Sequence, residues 1–517
     1  MDLPAFDAAV KQDMLRKGVD VELTLAVLNR LNSNDYTSEP AIVNSIPDPE
    51  DPAVVDCRGN FTWEISCGGA QEALEDLNIS ARISDYGTVQ NGVVQFSREG
   101  LARLGQHMLP LVSSGILNGG SATSYADRLK NQAINVELFA LYEDRFHRLV
   151  SQFSELPKGL SPGFIQPDES PGPSFIEIKM RGLLIKGALA KKKSINCPED
   201  ALFPLFQMTS TSTNSHIESA YRNYRESPML EQLIRYSRID ITAVETGIQP
   251  LITAFSREGD RWSIFSEAYG EKNSVLPLPG GHGQCFFTLN SIFRDLRKRG
   301  KRFVQIGNVD NLGNTPDPSI IAILALTRKP AGFEFAFKTP VDVKGGILVR
   351  DDAGKLNCAD IGPAISSHEV AAAESGGAEI LFNCATGIFS LDYLVEHIDR
   401  IIGGIPLRVS HQKKDAGEYS QAEQITWEVL SLIDDPIIFG VDKYERFLAA
   451  KMFVECMMTS GIGLSESGFP RSDDPGRDLY KVGRRLHQGL TSLLTSVYGM
   501  ALKDRRWTPI SVPDVIN

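Results

Sequence analysis

From Met108 to about Leu407, short apolar runs alternate with stretches whose apolar residues recur every three or four positions, the pattern of strands joined by helices. Ile176–Ile178, Leu202–Met208, Ile239–Thr242, Phe303–Ile306, Phe333–Phe337 and Ile380–Phe382 read as strands. Glu218–Arg222, Met229–Arg235, Phe286–Arg299 and Pro318–Thr327 read as helices. This alternation predicts an α/β fold with a mostly parallel sheet flanked by helices, in which ligands sit outside the carboxyl ends of the strands. Ahead of it, helical periodicity over Phe6–Leu31 and a Pro/Asp-rich connector, Ser38–Pro52, predict a helical N-terminal region. Beyond Asp434, a strand Ile437–Phe439 precedes helices over Tyr444–Met458 and Asp478–Met500, separated by a polar loop, Thr459–Arg477. Three parts are therefore expected: a helical region 1–105, a central α/β domain 106–435, and a small, mainly helical region 436–517.

Composition narrows the class. A chain of 517 residues exceeds one ordinary core. Hydrophobic residues at 42% with 23% charged residues fit a globular protein. No stretch approaches the apolar length of a membrane span, and Met1–Lys17 lacks a hydrophobic signal core, so a cytoplasmic protein is expected. The net charge of −12 argues against a broad nucleic-acid face. The basic runs Arg294–Arg302 and Ala190–Lys193 read as solvated helix ends. Seven cysteines, widely spaced and without a CxxC pair, read as buried free thiols rather than a zinc site or disulfide framework. The sequons at Asn60 and Asn78 are then chance matches.

Three short blocks carry the chemistry. Leu117–Lys130 reads LNGGSATSYADRLK and follows the apolar run Met108–Val112; Leu278–Gln284 reads LPGGHGQ; Gln305–Gly313 reads QIGNVDNLG. A Gly-rich turn after a strand lets backbone N–H groups approach a phosphate or base edge. The first block is neither a Walker A loop nor GxGxxG. Its hydroxyls and the cations Arg128 and Lys130 nevertheless suit a triphosphate. His282, set between glycines, is accessible for ligand contact. Asp310, just past the strand Phe303–Ile306, is a hard carboxylate that suits Mg²⁺. Taken singly, each block is equally well a plain turn, an Asx-turn or a structural histidine. Lys344-Gly345-Gly346 and Asn383 add a further turn and an amide suited to a second, hydroxyl-bearing substrate.

The order LNGG…T, MTS, an isolated Gln, PGGHG, NVDN, KGG, FN resembles the UDP-sugar pyrophosphorylases over about Leu117–Lys451. LNGG and GNVDNLG are closer to the UTP–glucose-1-phosphate uridylyltransferase branch than to the N-acetylglucosamine branch with its LAGG. The resemblance implies a Rossmann-like, GT-A-like nucleotidyltransferase fold, Mg²⁺ dependence, and UTP and a sugar 1-phosphate as substrates. It also implies site residues. Leu117, Asn118, Gly119, Gly120, Gln249, Gly281 and His282 would line the nucleotide. Asn308, Gly346, Asp360 and Asn383 would take the sugar, with Asp360 in place of the usual Glu, and Asp310 would hold Mg²⁺. Lys451 and, with a one-residue shift, Lys130 would contact phosphate as catalytic cations. Here GSAT…RLK replaces GLGT…GPK, and FNTNN is reduced to Phe382–Thr386. The tail lacks the hexapeptide repeat of a left-handed β-helix, so assembly through one is not expected. An N-acetylhexosamine transferase and a non-catalytic nucleotide-sugar-binding protein are the alternatives.

Overall fold

The structure, a computed structural model, describes residues 7–38, 40–192, 205–339, 342–473 and 478–516. Its centre is a ten-stranded sheet. The strands are β1 (Val54–Asp56), β2 (Val112–Leu117), β3 (Leu205–Ser210), β4 (Glu245–Gln249) and β5 (Phe303–Asn308), followed by β6 (Ala331–Phe337), β7 (Gly346–Arg350), β8 (Leu356–Asp360), β9 (Leu381–Ser390) and β10 (Ile437–Val441). Across the sheet they run β1-β10-β6-β9-β5-β2-β3-β4, with β7 bridging from β9 to β8. Neighbours along this path are parallel except around β9, which runs antiparallel to both β5 and β6.

Both faces are covered, which is why these strands read as continuous apolar runs rather than alternating ones. Alternate residues of one strand enter different hydrophobic clusters: Ile437 and Phe439 join the larger, Ile438 the smaller. The larger cluster also gathers Phe96, Met180, Leu326 and Ile516, so distant parts of the chain share one core. No helix among the described residues is long and apolar enough to cross a membrane.

Several expectations are corrected. The strand after Met108 starts only at Val112, because Leu109–Leu111 forms a 3₁₀ turn around Pro110. Ile176–Ile178 lies in a helix, Phe175–Lys192, that is buried nearly all round, so its apolar run mimics a strand. Ile239–Thr242 is a turn in which the Asp240 carboxylate accepts from the Thr242 N–H, and the strand begins at Glu245. Phe286–Arg299 breaks at Leu289 into two helices, Cys285–Thr288 and Asn290–Lys298. The start of the expected strand Leu202–Met208 and the end of the loop Thr459–Arg477 lie outside the described residues.

The first 105 residues are not purely helical. Helices Ala8–Arg16 and Val21–Asn32 are followed by β1 and then by a three-stranded antiparallel sheet of Thr62–Ser66, Val93–Ser97 and Gly87–Gln90. Nor does the central sheet stop at 435: β10 lies within it, flanked by β1 and β6. After Lys451 the chain forms helices Phe453–Thr459 and Leu479–Ser496, a hairpin of Met500–Lys503 with Arg506–Pro509, and a short helix, Val512–Ile516. The basic run near 297 is taken up locally, with Arg297 and Arg302 both paired to Asp392.

Candidate active site

Because β2 to β5 are parallel and adjacent, their carboxyl ends share one edge of the sheet. Antiparallel β9 brings its amino end there too. Asn383 was expected just after a strand; it lies inside β9, yet at this same edge, because the strand runs the other way. A cavity of about 390 Å³ opens at the edge. Seven of the residues singled out in the sequence line it: His282, Asn308, Asp310, Gly346, Asp360, Asn383 and Lys451. Gly346 and Asp360 are direct cross-strand partners between β7 and β8.

The histidine is held from its backbone upward. Gly281 has φ +82°, and a Cβ there would come within 2.3 Å of the Gln424 carbonyl oxygen, so this position needs glycine. Hydrogen bonds from Gly283 N to Gln424 O (2.8 Å) and from Gln424 N to Gly280 O (2.9 Å) zip the loop to the segment before Thr426. The Thr426 N–H then donates to His282 Nδ1 at 3.1 Å, and the Thr426 hydroxyl donates to the His282 carbonyl at 2.8 Å. An Nδ1 that accepts leaves the proton on Nε2. The residue keeps a solvent-exposed face, and desolvation of the ring by the protein groups packed against it, reinforced by the positive charge of Lys451, lowers its pKa to about 4. His282 therefore enters the site as a neutral ring with an Nε2–H donor.

This has a measurable consequence. Ring ¹⁵N NMR should show the Nε2–H tautomer of His282 throughout the neutral range, with titration only near pH 4. The unfolded chain, with a histidine pKa near 6.5, binds more protons between those values, so this group's contribution to stability falls as pH drops from about 6.5 to 4. A ring that titrates near 6.5 in the folded protein would refute the assignment.

Asp310 lies in a turn beyond β5 that is fixed from below. Fully buried Lys179 donates to Asn311 O (2.6 Å) and Asn314 O (3.1 Å); burial lowers its pKa to about 7. Asn311 is buried and donates to Arg446 O at 3.0 Å. The expected helix Tyr444–Met458 is interrupted here. After Lys443–Arg446 the chain extends so that Leu448 O accepts from Leu312 N, and Ala450 N donates to Asp310 O. That extended stretch is what carries Lys451 to the cavity.

The remaining expected residues fall in two places. Leu117 and Gln249 are buried and do not line the cavity. Gln249 Nε2 donates to Gly281 O (2.8 Å) and Gln284 Oε1 (2.9 Å), which ties the β4 end to the histidine loop. Asn118 is fully buried and donates to Gln207 Oε1 at 3.1 Å. Its side chain points into the protein, between Gln207 and Gly159.

A profile of the UTP–glucose-1-phosphate uridylyltransferase family matches residues 170–459, more than half of the chain. The chain belongs to that family. A UTP–glucose-1-phosphate uridylyltransferase 2 of Dictyostelium discoideum is 26% identical over 234 residues, 45% of this chain and 43% of that protein. The Saccharomyces cerevisiae enzyme is 24% identical over 212 residues, 41% of this chain and 38% of its own. The matches thus span less than half the length of these curated relatives. Among solved structures, a UDP-glucose phosphorylase from Trypanosoma brucei superposes with a TM-score of 0.52 at 15% identity, covering 97% of this chain and 81% of its own. A uridine diphosphate N-acetylglucosamine pyrophosphorylase from the same organism gives 0.54 at 15% identity, covering 93% and 87%. The fold is that of these nucleotidyltransferases.

In this member of the uridylyltransferase family, the lysine expected to follow the first loop stands apart from the cavity. Lys130 is exposed on the short helix Arg128–Gln132 and does not line the cavity. Between Thr123 and Val150 the chain makes three helices, and only then returns to the Gly-rich turn. There Lys158 N donates to Gly120 O at 2.9 Å, and Ser121 bridges Pro157. Lys158 Nζ lies 3.3 Å from Asp310 Oδ2 and 4.8 Å from the Tyr125 ring centre. Pro157-Lys158 is thus a Pro-Lys dipeptide brought against the Gly-rich turn from beyond the intervening helices. Gly159 follows of necessity, because a Cβ there would meet Asn118 Oδ1 at 2.2 Å.

Proposed function

We propose that the protein transfers the uridylyl group of UTP to a hexose 1-phosphate, with glucose 1-phosphate as the favoured sugar, forming a UDP-sugar and pyrophosphate. The observation that carries this reading is one cavity. It gathers the two loops bearing His282 and Asp310, the phosphate-seeking cation Lys451 and the hydroxyl-seeking groups Asp360 and Asn383, with Lys158 adjoining Asp310. The names of the family and of its relatives, and a Leishmania major UDP-glucose pyrophosphorylase solved with UDP-glucose, support it.

In this reaction a phosphate oxygen of the sugar 1-phosphate attacks the α-phosphorus of UTP. The new P–O bond forms as the bond to the β-phosphate oxygen breaks, and pyrophosphate leaves with the electron pair. No covalent nucleophile on the protein is needed, so its residues act by positioning and charge. The Gly119-Gly120 turn and Gln249 lie against the nucleoside; Lys158 and Lys451 offset charge on the phosphates; the Nε2–H of His282 donates to a phosphate or sugar oxygen. Asp360, Asn383, Gly346 and Asn308 hold the hexose.

Asp310 suits Mg²⁺ as a lone hard carboxylate, since this ion takes one or two carboxylates and completes its shell with phosphate oxygens and water. Among the described residues there is no cluster of three or more ligating side chains, so the other ligands would come from the nucleotide. When bound, the ion supplies charge neutralisation at the phosphates. The absence of an apolar span and the unpaired cysteines among the described residues fit a cytoplasmic enzyme.

Pyrophosphate release should require UTP, Mg²⁺ and a sugar 1-phosphate together, across a panel that includes glucose, galactose and N-acetylglucosamine 1-phosphates. Asp310→Ala should lower the rate by on the order of 10²–10³ while leaving the urea midpoint close to wild type. No turnover with any member of the panel would sink the reading.

A further inference from the structure

The sugar side of the cavity has a wall that the family resemblance does not assign. It comes from a 3₁₀ segment, Thr426–Leu432, packed along β8, and from the strand Arg408–Lys414. Thr426 holds His282; two residues later, Glu428 lines the same cavity as Asp360 and Asn383. The Glu428 side chain is only 4% exposed. Its Oε1 accepts from Arg408 Nε at 2.6 Å, while Oε2 has no hydrogen-bond partner among the described residues. A buried carboxylate oxygen without a donor is costly, and in a cavity wall the missing donor is supplied by what fills the cavity.

Charge defines what that can be. Asp360 and Glu428 bring two carboxylates to this wall against the one guanidinium of Arg408, which is engaged by Glu428. Burial, with the neighbouring Asp360 charge as a smaller contribution, raises the Glu428 pKa while the Arg408 guanidinium opposes the rise. A second negative charge from a ligand would meet repulsion at this wall, where the Arg408 guanidinium is already paired.

We propose that Glu428 is a specificity-determining residue for the sugar: Oε2 accepts a hydrogen bond from a hydroxyl of a neutral hexose, and with Asp360 it rejects hexuronates. The inference rests on the transferase reading for its ligand class.

Calorimetric binding of UDP-glucose, its monodeoxy analogues and UDP-glucuronate to wild type and Glu428→Gln tests it. One deoxy analogue should bind wild type roughly tenfold more weakly than UDP-glucose, and that penalty should vanish in Glu428→Gln. UDP-glucuronate should bind wild type at least about tenfold more weakly than UDP-glucose, and the gap should narrow in the variant, where Arg408 is no longer neutralised. The urea midpoint should fall, because Arg408 loses its partner, whereas UTP affinity should stay at the wild-type value, which a merely structural role for Glu428 would not predict. A flat deoxy series on wild type, or UDP-glucuronate binding as tightly as UDP-glucose, overturns the proposal even if the variant fails to fold. Failure of the transferase reading shows separately, as wild type that binds UDP-glucose but releases no pyrophosphate.

Discussion

Lys158→Ala should slow pyrophosphate release by on the order of 10²–10³, whereas Lys130→Ala should leave it within about twofold. The contrast follows from placement. Lys158 sits 3.3 Å from Asp310, and its backbone is bonded to the Gly120 carbonyl, so its ammonium is fixed where triphosphate charge would lie. Its low exposure, 12% for the side chain, makes each unit of charge count for more than in open solvent. Lys130 is exposed, where a charge is largely screened. Steady-state kcat for both variants, with the urea midpoint as a folding control, decides the matter; the reverse order of effects would return the role to Lys130.

Arg446→Leu should destabilise the protein by about 3–5 kcal/mol in urea unfolding. Its guanidinium pairs with Glu334 at 2.6 and 3.0 Å, and the two side chains are 8% and 1% exposed. Nη2 also donates to Thr315 O at 2.9 Å, and the Arg446 carbonyl accepts from Asn311. Removing the arginine leaves Glu334 charged or forced to protonate inside the sheet, since burial already pushes its pKa up. Replacing both partners with apolar residues removes the orphan, so Glu334→Leu with Arg446→Leu should be more stable than Arg446→Leu alone. A single variant within about 1 kcal/mol of wild type would show that the pair is not what anchors the Asp310 turn.

The parts legible in the sequence were those written in local chemistry. Gly-rich turns and an Asx-bearing turn stand after strands because backbone approach and strand termination each demand particular residues, and those blocks meet at one sheet edge. The helix Phe175–Lys192 was misread because a helix buried on every side has no apolar stripe, and periodicity is then silent. The hairpin between Gly87–Gln90 and Val93–Ser97 turns at Asn91-Gly92, with φ of 50° and 79°, a local Asn-Gly signal inside a region whose periodicity is helical only over Phe6–Leu31. Lys158 was missed for a different reason. Its neighbours in space are set by helices inserted between it and the turn it serves, and no local spacing carries that. Arg408 and Glu428 likewise reach the cavity through the packing of the Thr426–Leu432 segment against β8, which is distant in sequence.

The position of β10 in the sheet bears on how the chain is made. Val54–Asp56 emerges early from the ribosome, yet its partner in the sheet is Ile437–Val441, and the same late strand covers the edge of β6. At about 5–20 residues per second, those strands wait on the order of tens of seconds with their hydrogen-bonding edges open. The central sheet therefore stays incomplete until β10 has been made. A nascent chain halted between Phe337 and Ile437 would expose the bare β6 edge to chaperones, or to strand pairing with another chain.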